Sequence, residues 1–195
     1  MRNVFIFHGV GGTPEENWFP WLKKELQYKK CNVIVPQFPT PDGQTLKNWL
    51  ETFEQYADLV QEDSIFIGHS LGGLFMLSLL EKYKVKLAVF VASFGKPPGN
   101  KFDEGMKTFA APERLEFDWQ KIYGNCHKSM VFYGDNDPYV GFGTAQQLSR
   151  NLHAKFHLVK GAGHFNGSTG WIKFPLLLDE LKPFLLPPMP PARQW

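Results

Sequence analysis

Six short runs that are apolar nearly throughout, Val4–Phe7, Asn32–Val35, Ser64–Ile67, Leu87–Val91, Ser129–Tyr133 and Lys155–Val159, alternate along this chain with longer amphipathic stretches. A strand wetted on one side alternates polar and apolar residues, whereas a strand covered on both sides reads as a continuous run of branched and aromatic side chains. The intervening stretches, at about 16–30, 45–61, 71–83, 116–124, 142–153 and 175–186, carry helical spacing. In the second of them Leu46, Trp49, Leu50, Phe53, Tyr56, Ala57 and Val60 recur at three- and four-residue steps, with Lys47, Glu51, Glu54, Gln55 and Asp58 on the other side. Regular strand-helix alternation predicts an α/β chain, a three-layer doubly wound parallel sheet with six strands, whose ligands bind beyond the carboxyl ends of the strands.

The chain has 195 residues, 43% of them hydrophobic, enough for one substantial core, so a single domain is expected over 1–186 with a Pro-rich tail at 187–195. Its formal net charge of +2 leaves no strong electrostatic footprint, and Lys23, Lys24, Lys29 and Lys30 lie around Glu25 rather than forming a basic stripe. Nucleic acid is therefore not an expected partner. Cys31 and Cys126 have neither metal-ligand spacing nor the makings of a disulfide framework, and read as reduced thiols. Met1-Arg2-Asn3 leads straight into a strand-like run, and no apolar stretch approaches the ~18 residues that span a bilayer. A cytoplasmic protein without membrane contact is the expectation. Residues 93–115, with Gly95, Pro97, Pro98, Gly99 and Gly105, form a connection longer than packing requires, either a flap over the site or a surface loop. The tail Pro187-Pro188-Met189-Pro190-Pro191 has polyproline character.

Chemistry enters at the third apolar run, which ends in Gly68-His69-Ser70-Leu71-Gly72 and passes at once into a helical pattern. This is the layout of a nucleophile elbow. A strand that reverses into a helix within two residues forces strained dihedrals on the corner residue, and only glycine fits two places to either side. Ser70 is thereby lifted over the sheet edge, beside the positive end of the following helix. The alternative reading is a glycine-rich turn that merely permits close packing.

A serine hydroxyl needs a base, and the base needs a group that fixes its tautomer. After the last apolar run comes Gly161-Ala162-Gly163-His164-Phe165, a tight loop that presents His164. After the fifth comes Gly134-Asp135-Asn136-Asp137-Pro138, in which Asp137 is the candidate acid and Asp135 the candidate for bonding the backbone of its own turn. The order Ser, Asp, His matches a triad assembled from separate loops. The remaining histidines, His8, His69, His127, His153 and His157, read as packing or surface residues.

The first strand ends in His8-Gly9-Val10-Gly11-Gly12, whose backbone N–H groups can face the elbow. The N–H groups of Val10 and Leu71 are the expected oxyanion donors, with Gly9 replacing Val10 if the turn is rotated by one residue. The same turn is not a nucleotide site, because position 14 is Pro14 and no Walker lysine follows. No cofactor and no metal are expected. His69, Phe94, Tyr139, Phe165 and Trp171 fall near this site and suggest an apolar-walled cleft for a small acyl or aminoacyl group.

These motifs, with Trp21-Leu22-Lys23-Lys24-Glu25-Leu26, Trp119-Gln120-Lys121-Ile122, Asn125-Cys126 and Asp137-Pro138, resemble the small lidless α/β-hydrolases of the retinoblastoma-binding-protein-nine and YdeN type over nearly the whole chain. The resemblance implies a minimal α/β-hydrolase fold without a cap domain. It also implies a serine hydrolase with Ser70, Asp137 and His164 as nucleophile, acid and base. One departure stands out. The Leu-X-Cys-X-Glu motif that gives that family its name is replaced by Leu59-Val60-Gln61-Glu62-Asp63, so no retinoblastoma-type partner is expected. Two functions remain in play: a hydrolase cleaving a small ester or amide, and a non-catalytic interaction module that kept the fold. Neither reading specifies an oligomeric state.

Overall fold

All six apolar runs become strands of one parallel sheet. The computed structural model describes residues 1–96 and 116–185. In chain order they form β1 (Asn3–Phe7), α1 (Phe19–Tyr28), β2 (Asn32–Ile34), α2 (Leu46–Glu54), β3 (Ile65–His69), α3 (Leu71–Leu80), β4 (Leu87–Val91), α4 (Trp119–Asn125), β5 (Ser129–Gly134), α5 (Phe142–Asn151), β6 (Lys155–Val159) and α6 (Pro175–Leu185). The strand order is β2-β1-β3-β4-β5-β6. The winding direction reverses between β1 and β3, which places the carboxyl ends of these two strands at the switch point of a doubly wound sheet.

Alternation along the strands divides the core in two. Phe5, Phe7, Phe66, Phe90 and Val131 point to the side covered by α2, α3, α4 and α5, while Val4, Ile6, Ile67, Val89 and Phe132 point to the side covered by α1 and α6. The first side is an aromatic cluster in which Phe7 meets Phe66 and Phe75 edge-on at 5.3 and 5.7 Å and Phe38 stacks on Trp49 at 4.5 Å. Helix α3 runs through this layer with nine of its ten residues buried, which explains why its sequence is apolar on all sides. Two edges depart from the uniform apolar pattern. β6 borders the sheet and leaves Leu158 57% exposed, and β2 at the other edge buries only Val33 fully.

Two of the helices begin where a side chain caps them. Thr45 accepts the N–H of Asn48 at 3.1 Å ahead of α2, and Asp118 accepts that of Lys121 at 3.0 Å ahead of α4. The first helix starts later than the pattern predicts, at Phe19, because Asn17 adopts a left-handed φ of 54° and turns the chain. The predicted run over 45–61 breaks after Glu54 and continues as a short 3-10 turn at Ala57–Leu59. Most of the 93–115 connection, from residue 97, and the Pro-rich tail lie outside the described residues. Among the described residues no helix is long and apolar enough to cross a membrane.

Candidate active site

Ser70 occupies the corner between β3 and α3 with φ 53° and ψ −121°, a conformation that costs a non-glycine residue about 1–3 kcal/mol. The surroundings enforce it. A Cβ on Gly72 would lie 2.2 Å from the carbonyl oxygen of Phe7, and one on Gly68 would lie 2.6 Å from Cα of Gly73. The Ser70 N–H is tied to the carbonyl of Val91 at 2.9 Å, and the Ser93 hydroxyl donates to the Ser70 carbonyl at 2.8 Å, so β4 and the residue just beyond it brace the corner. Ser93 was not singled out in the sequence, where nothing separates it from other loop serines.

The first-strand turn comes up against this corner. A Cβ on Gly9 would lie 3.0 Å from Cβ and 3.5 Å from Oγ of Ser70, so only the bare backbone of His8-Gly9-Val10 approaches so closely. Leu71 heads α3, where a first-turn N–H has no carbonyl partner within the helix. Val10, 43% exposed, borders the same cleft as Ser70.

Across the cleft, His164 Nδ1–H donates to Oδ2 of Asp137 at 2.9 Å, and the Asp137 side chain is wholly buried. The other carboxylate oxygen accepts the N–H groups of Tyr139 and Val140 at 2.8 and 3.0 Å, which fixes its orientation. With Nδ1 engaged as donor, Nε2 of His164 is the acceptor nitrogen. Asp135 does not bond its own turn. Its Oδ1 accepts the N–H of Gly161 at 2.7 Å, and Asn136 Oδ1 accepts that of Gly163 at 2.7 Å, so Asp135, Asn136 and Asp137 each grip the loop that carries His164. Gly134 allows this approach, since a Cβ there would fall 2.2 Å from the Gly163 carbonyl oxygen.

Two further histidines flank the site and are held neutral. His69 donates from Nε2 to the His164 carbonyl oxygen at 2.8 Å, and complete burial together with the nearby His164 ring pushes its pKa down to about 3. His8 accepts the Phe38 N–H on Nε2 at 2.9 Å and donates from Nδ1 to the Gly9 carbonyl at 2.8 Å, with burial lowering its pKa. His8 is thus bonded through both ring nitrogens and His69 through Nε2 alone.

Ser70 and His164 line one cleft of about 320 Å³ together with His69, Phe94 and Tyr139. The Tyr139 ring stands edge-on to the His164 ring at 4.8 Å. Phe165 departs from the expected cleft wall. It is fully buried and packs on Phe174 and Trp171 at 5.0 and 4.7 Å, because its φ of 54° turns the side chain inward directly after His164. Three polar residues absent from the sequence-based pocket, Glu16, Asn17 and Asn166, also line the cleft. They come from irregular segments between the regular elements. Among the described residues no three His, Cys, Asp or Glu side chains assemble as a metal site.

A parallel six-stranded sheet with serine at the β3–α3 corner, a carboxylate after β5 and a histidine after β6 defines a minimal α/β-hydrolase fold. More narrowly, the serine hydrolase family model matches residues 4–183, and the chain belongs to that family. It is 28% identical over 186 residues to the putative hydrolase YdeN of Bacillus subtilis (strain 168), spanning 92% of this chain and 94% of YdeN. It is 25% identical over 181 residues to the serine hydrolase RBBP9 of Rattus norvegicus, spanning 92% of each. The crystal structure of the ydeN gene product from B. subtilis matches with a TM-score of 0.84 at 26% identity, covering 94% of this chain and 98% of that one.

Proposed function

We propose that this serine hydrolase cleaves a small ester or amide through an acyl-enzyme formed on Ser70. The observation that carries the reading is the 2.9 Å bond from His164 Nδ1 to the buried Asp137, which leaves Nε2 as the basic nitrogen in a cleft shared with Ser70. His164 removes the hydroxyl proton as Ser70 Oγ attacks the carbonyl carbon, and Asp137 stabilises the imidazolium that forms. The N–H groups of Leu71 and Val10 receive the oxyanion, and losing one such donor typically costs about 2.7–4 kcal/mol of transition-state stabilisation. His164 then returns the proton to the departing alcohol or amine. Water, deprotonated by the same imidazole, adds to the acyl group and frees Ser70. The reaction needs no metal or organic cofactor.

A cleft of about 320 Å³ suits a small soluble acyl group rather than a long lipid chain. The assigned setting is the cytoplasm, in keeping with the free, buried thiols of Cys31 and Cys126. A fluorophosphonate probe will label the protein at a single site, and Ser70→Ala will abolish the labelling. Undiminished labelling of that variant overturns the assignment. Wild-type protein inert both to the probe and to short acyl esters would instead favour a non-catalytic interaction module.

A further inference from the structure

Ser93 follows β4 and is fully buried, and its hydroxyl donates to the Ser70 carbonyl at 2.8 Å. That carbonyl also accepts the Gly73 N–H at 3.1 Å. Two departures from ordinary backbone chemistry put the hydroxyl there. Ala92 has a left-handed φ of 47°, which a non-glycine residue adopts only at a cost, while its N–H still extends the strand ladder to the Phe132 carbonyl at 2.9 Å. Gly73 is the other, because a Cβ there would lie 2.0 Å from Oγ and 2.6 Å from Cβ of Ser93. Of the two glycines after the elbow, Gly72 therefore makes room for the backbone of Phe7 and Gly73 makes room for the Ser93 side chain.

We infer that Ser93 is a positioning residue for the oxyanion hole, acting through the peptide that joins Ser70 to Leu71. The inference rests on the hydrolase reading, with the Leu71 N–H as an oxyanion donor. The carbonyl that Ser93 holds and the Leu71 N–H belong to one planar trans unit, so fixing the oxygen fixes the direction of the hydrogen on the opposite side. A hydrogen bond received at the carbonyl also polarises the N–H of the same peptide, as linked hydrogen bonds strengthen one another. Oxyanion donors work by being aimed before the charge develops. A peptide free to tilt would stabilise the transition state less and bind the ground-state substrate as before. Ser93 is fully buried, so its influence passes through this peptide alone.

The test compares wild type, Ser93→Ala and Ser93→Thr on p-nitrophenyl acetate, with kcat expressed per site labelled by a fluorophosphonate so that only competent protein is counted. A trifluoromethyl ketone supplies a second readout. Ser70 Oγ adds to its carbonyl carbon, the hydroxyl proton passes to His164, and the resulting oxyanion occupies the hole. In Ser93→Ala, kcat per labelled site will fall about tenfold, less than the factor of about 10²–10³ for losing a donor outright. KM will stay within about twofold, and the inhibition constant of the ketone will rise by the factor by which kcat falls. Ser93→Thr keeps the hydroxyl and will restore kcat to within about threefold of wild type. A merely structural brace would lower the labelled fraction and the unfolding midpoint and leave kcat per labelled site unchanged. That result, a loss carried by KM, or a threonine variant as slow as the alanine one overturns the inference and leaves the hydrolase standing. Wild type that neither turns over the ester nor takes the label overturns both.

Discussion

The imidazole of His69 donates from Nε2 to the carbonyl oxygen of His164 at 2.8 Å, so the residue that precedes the elbow serine holds the backbone of the loop carrying the proposed base. The two rings lie 5.1 Å apart, and Nδ1 of His69 is buried without a partner. Protonating His69 would place a cation in a dry site beside a second imidazole. The contact therefore works only with a neutral ring.

Replacing His69 by phenylalanine keeps the bulk and removes the donor, which strands a buried carbonyl. We expect a loss of about 1–3 kcal/mol in unfolding free energy. A denaturant titration of wild type and His69→Phe measures it, and coincident midpoints would show that the bond contributes nothing.

A pH dependence follows from the same residue. The folded pKa of His69, about 3, is below the ordinary histidine value of 6.5, so between these limits the unfolded chain binds more protons than the folded one. Its contribution is complete above pH 6.5 and declines as the pH falls toward 3, and His8, also lowered by burial, acts in the same direction. Unfolding free energies measured at intervals from pH 7 to pH 4 will fall with acidification. The slope will be shallower in His69→Phe.

At the corner itself, strain predicts an inverted glycine effect. Ser70→Gly and Ser70→Ala both remove the hydroxyl and will both be inactive, yet glycine accepts φ 53° and ψ −121° while alanine keeps the strained Cβ. Ser70→Gly will be more stable than Ser70→Ala by about 1–2 kcal/mol, against the usual penalty for glycine. Calorimetry of the two variants decides the sign.

Asp137→Asn preserves size and removes the charge that sets the tautomer of His164. Hydrolysis will fall by about 10⁴ in kcat, the magnitude known for the corresponding change in a chymotrypsin-type triad. Asp135→Asn keeps an oxygen for the Gly161 N–H and will cost less than about tenfold. Equal losses in the two variants would contradict the distinct roles assigned to these carboxylates.

Much of this protein could be read from local pattern. Each strand run is a property of four or five neighbouring residues, and burial on both faces of a sheet writes itself directly into composition. The elbow was equally legible, because Gly68 and Gly72 are required by backbone approaches close to Ser70 in sequence or in the adjoining strand. The positions of Asp137 and His164 after successive strands make them legible as candidates, and the structure joins their side chains at 2.9 Å. The close packing of Gly9 on Ser70 joins the first-strand turn to the elbow, a contact that no local pattern encodes.

Helix limits were less legible, since Asn17 ends one turn and delays α1 through a positive φ that no periodicity encodes. The same kind of local twist took Phe165 out of the cleft and into the core beside Phe174. The amino-acid order alone determined the alternating architecture, the corner serine and the set of groups able to serve it, because periodicity and tight-turn chemistry are short-range. Tertiary structure decided that Asp135, Asn136 and Asp137 all bind one distant loop, that Ser93 braces the elbow, and that Glu16 and Asn17 reach the cleft. These contacts join segments far apart along the chain, and only the packing of the sheet and its helices brings their polar atoms within hydrogen-bonding distance.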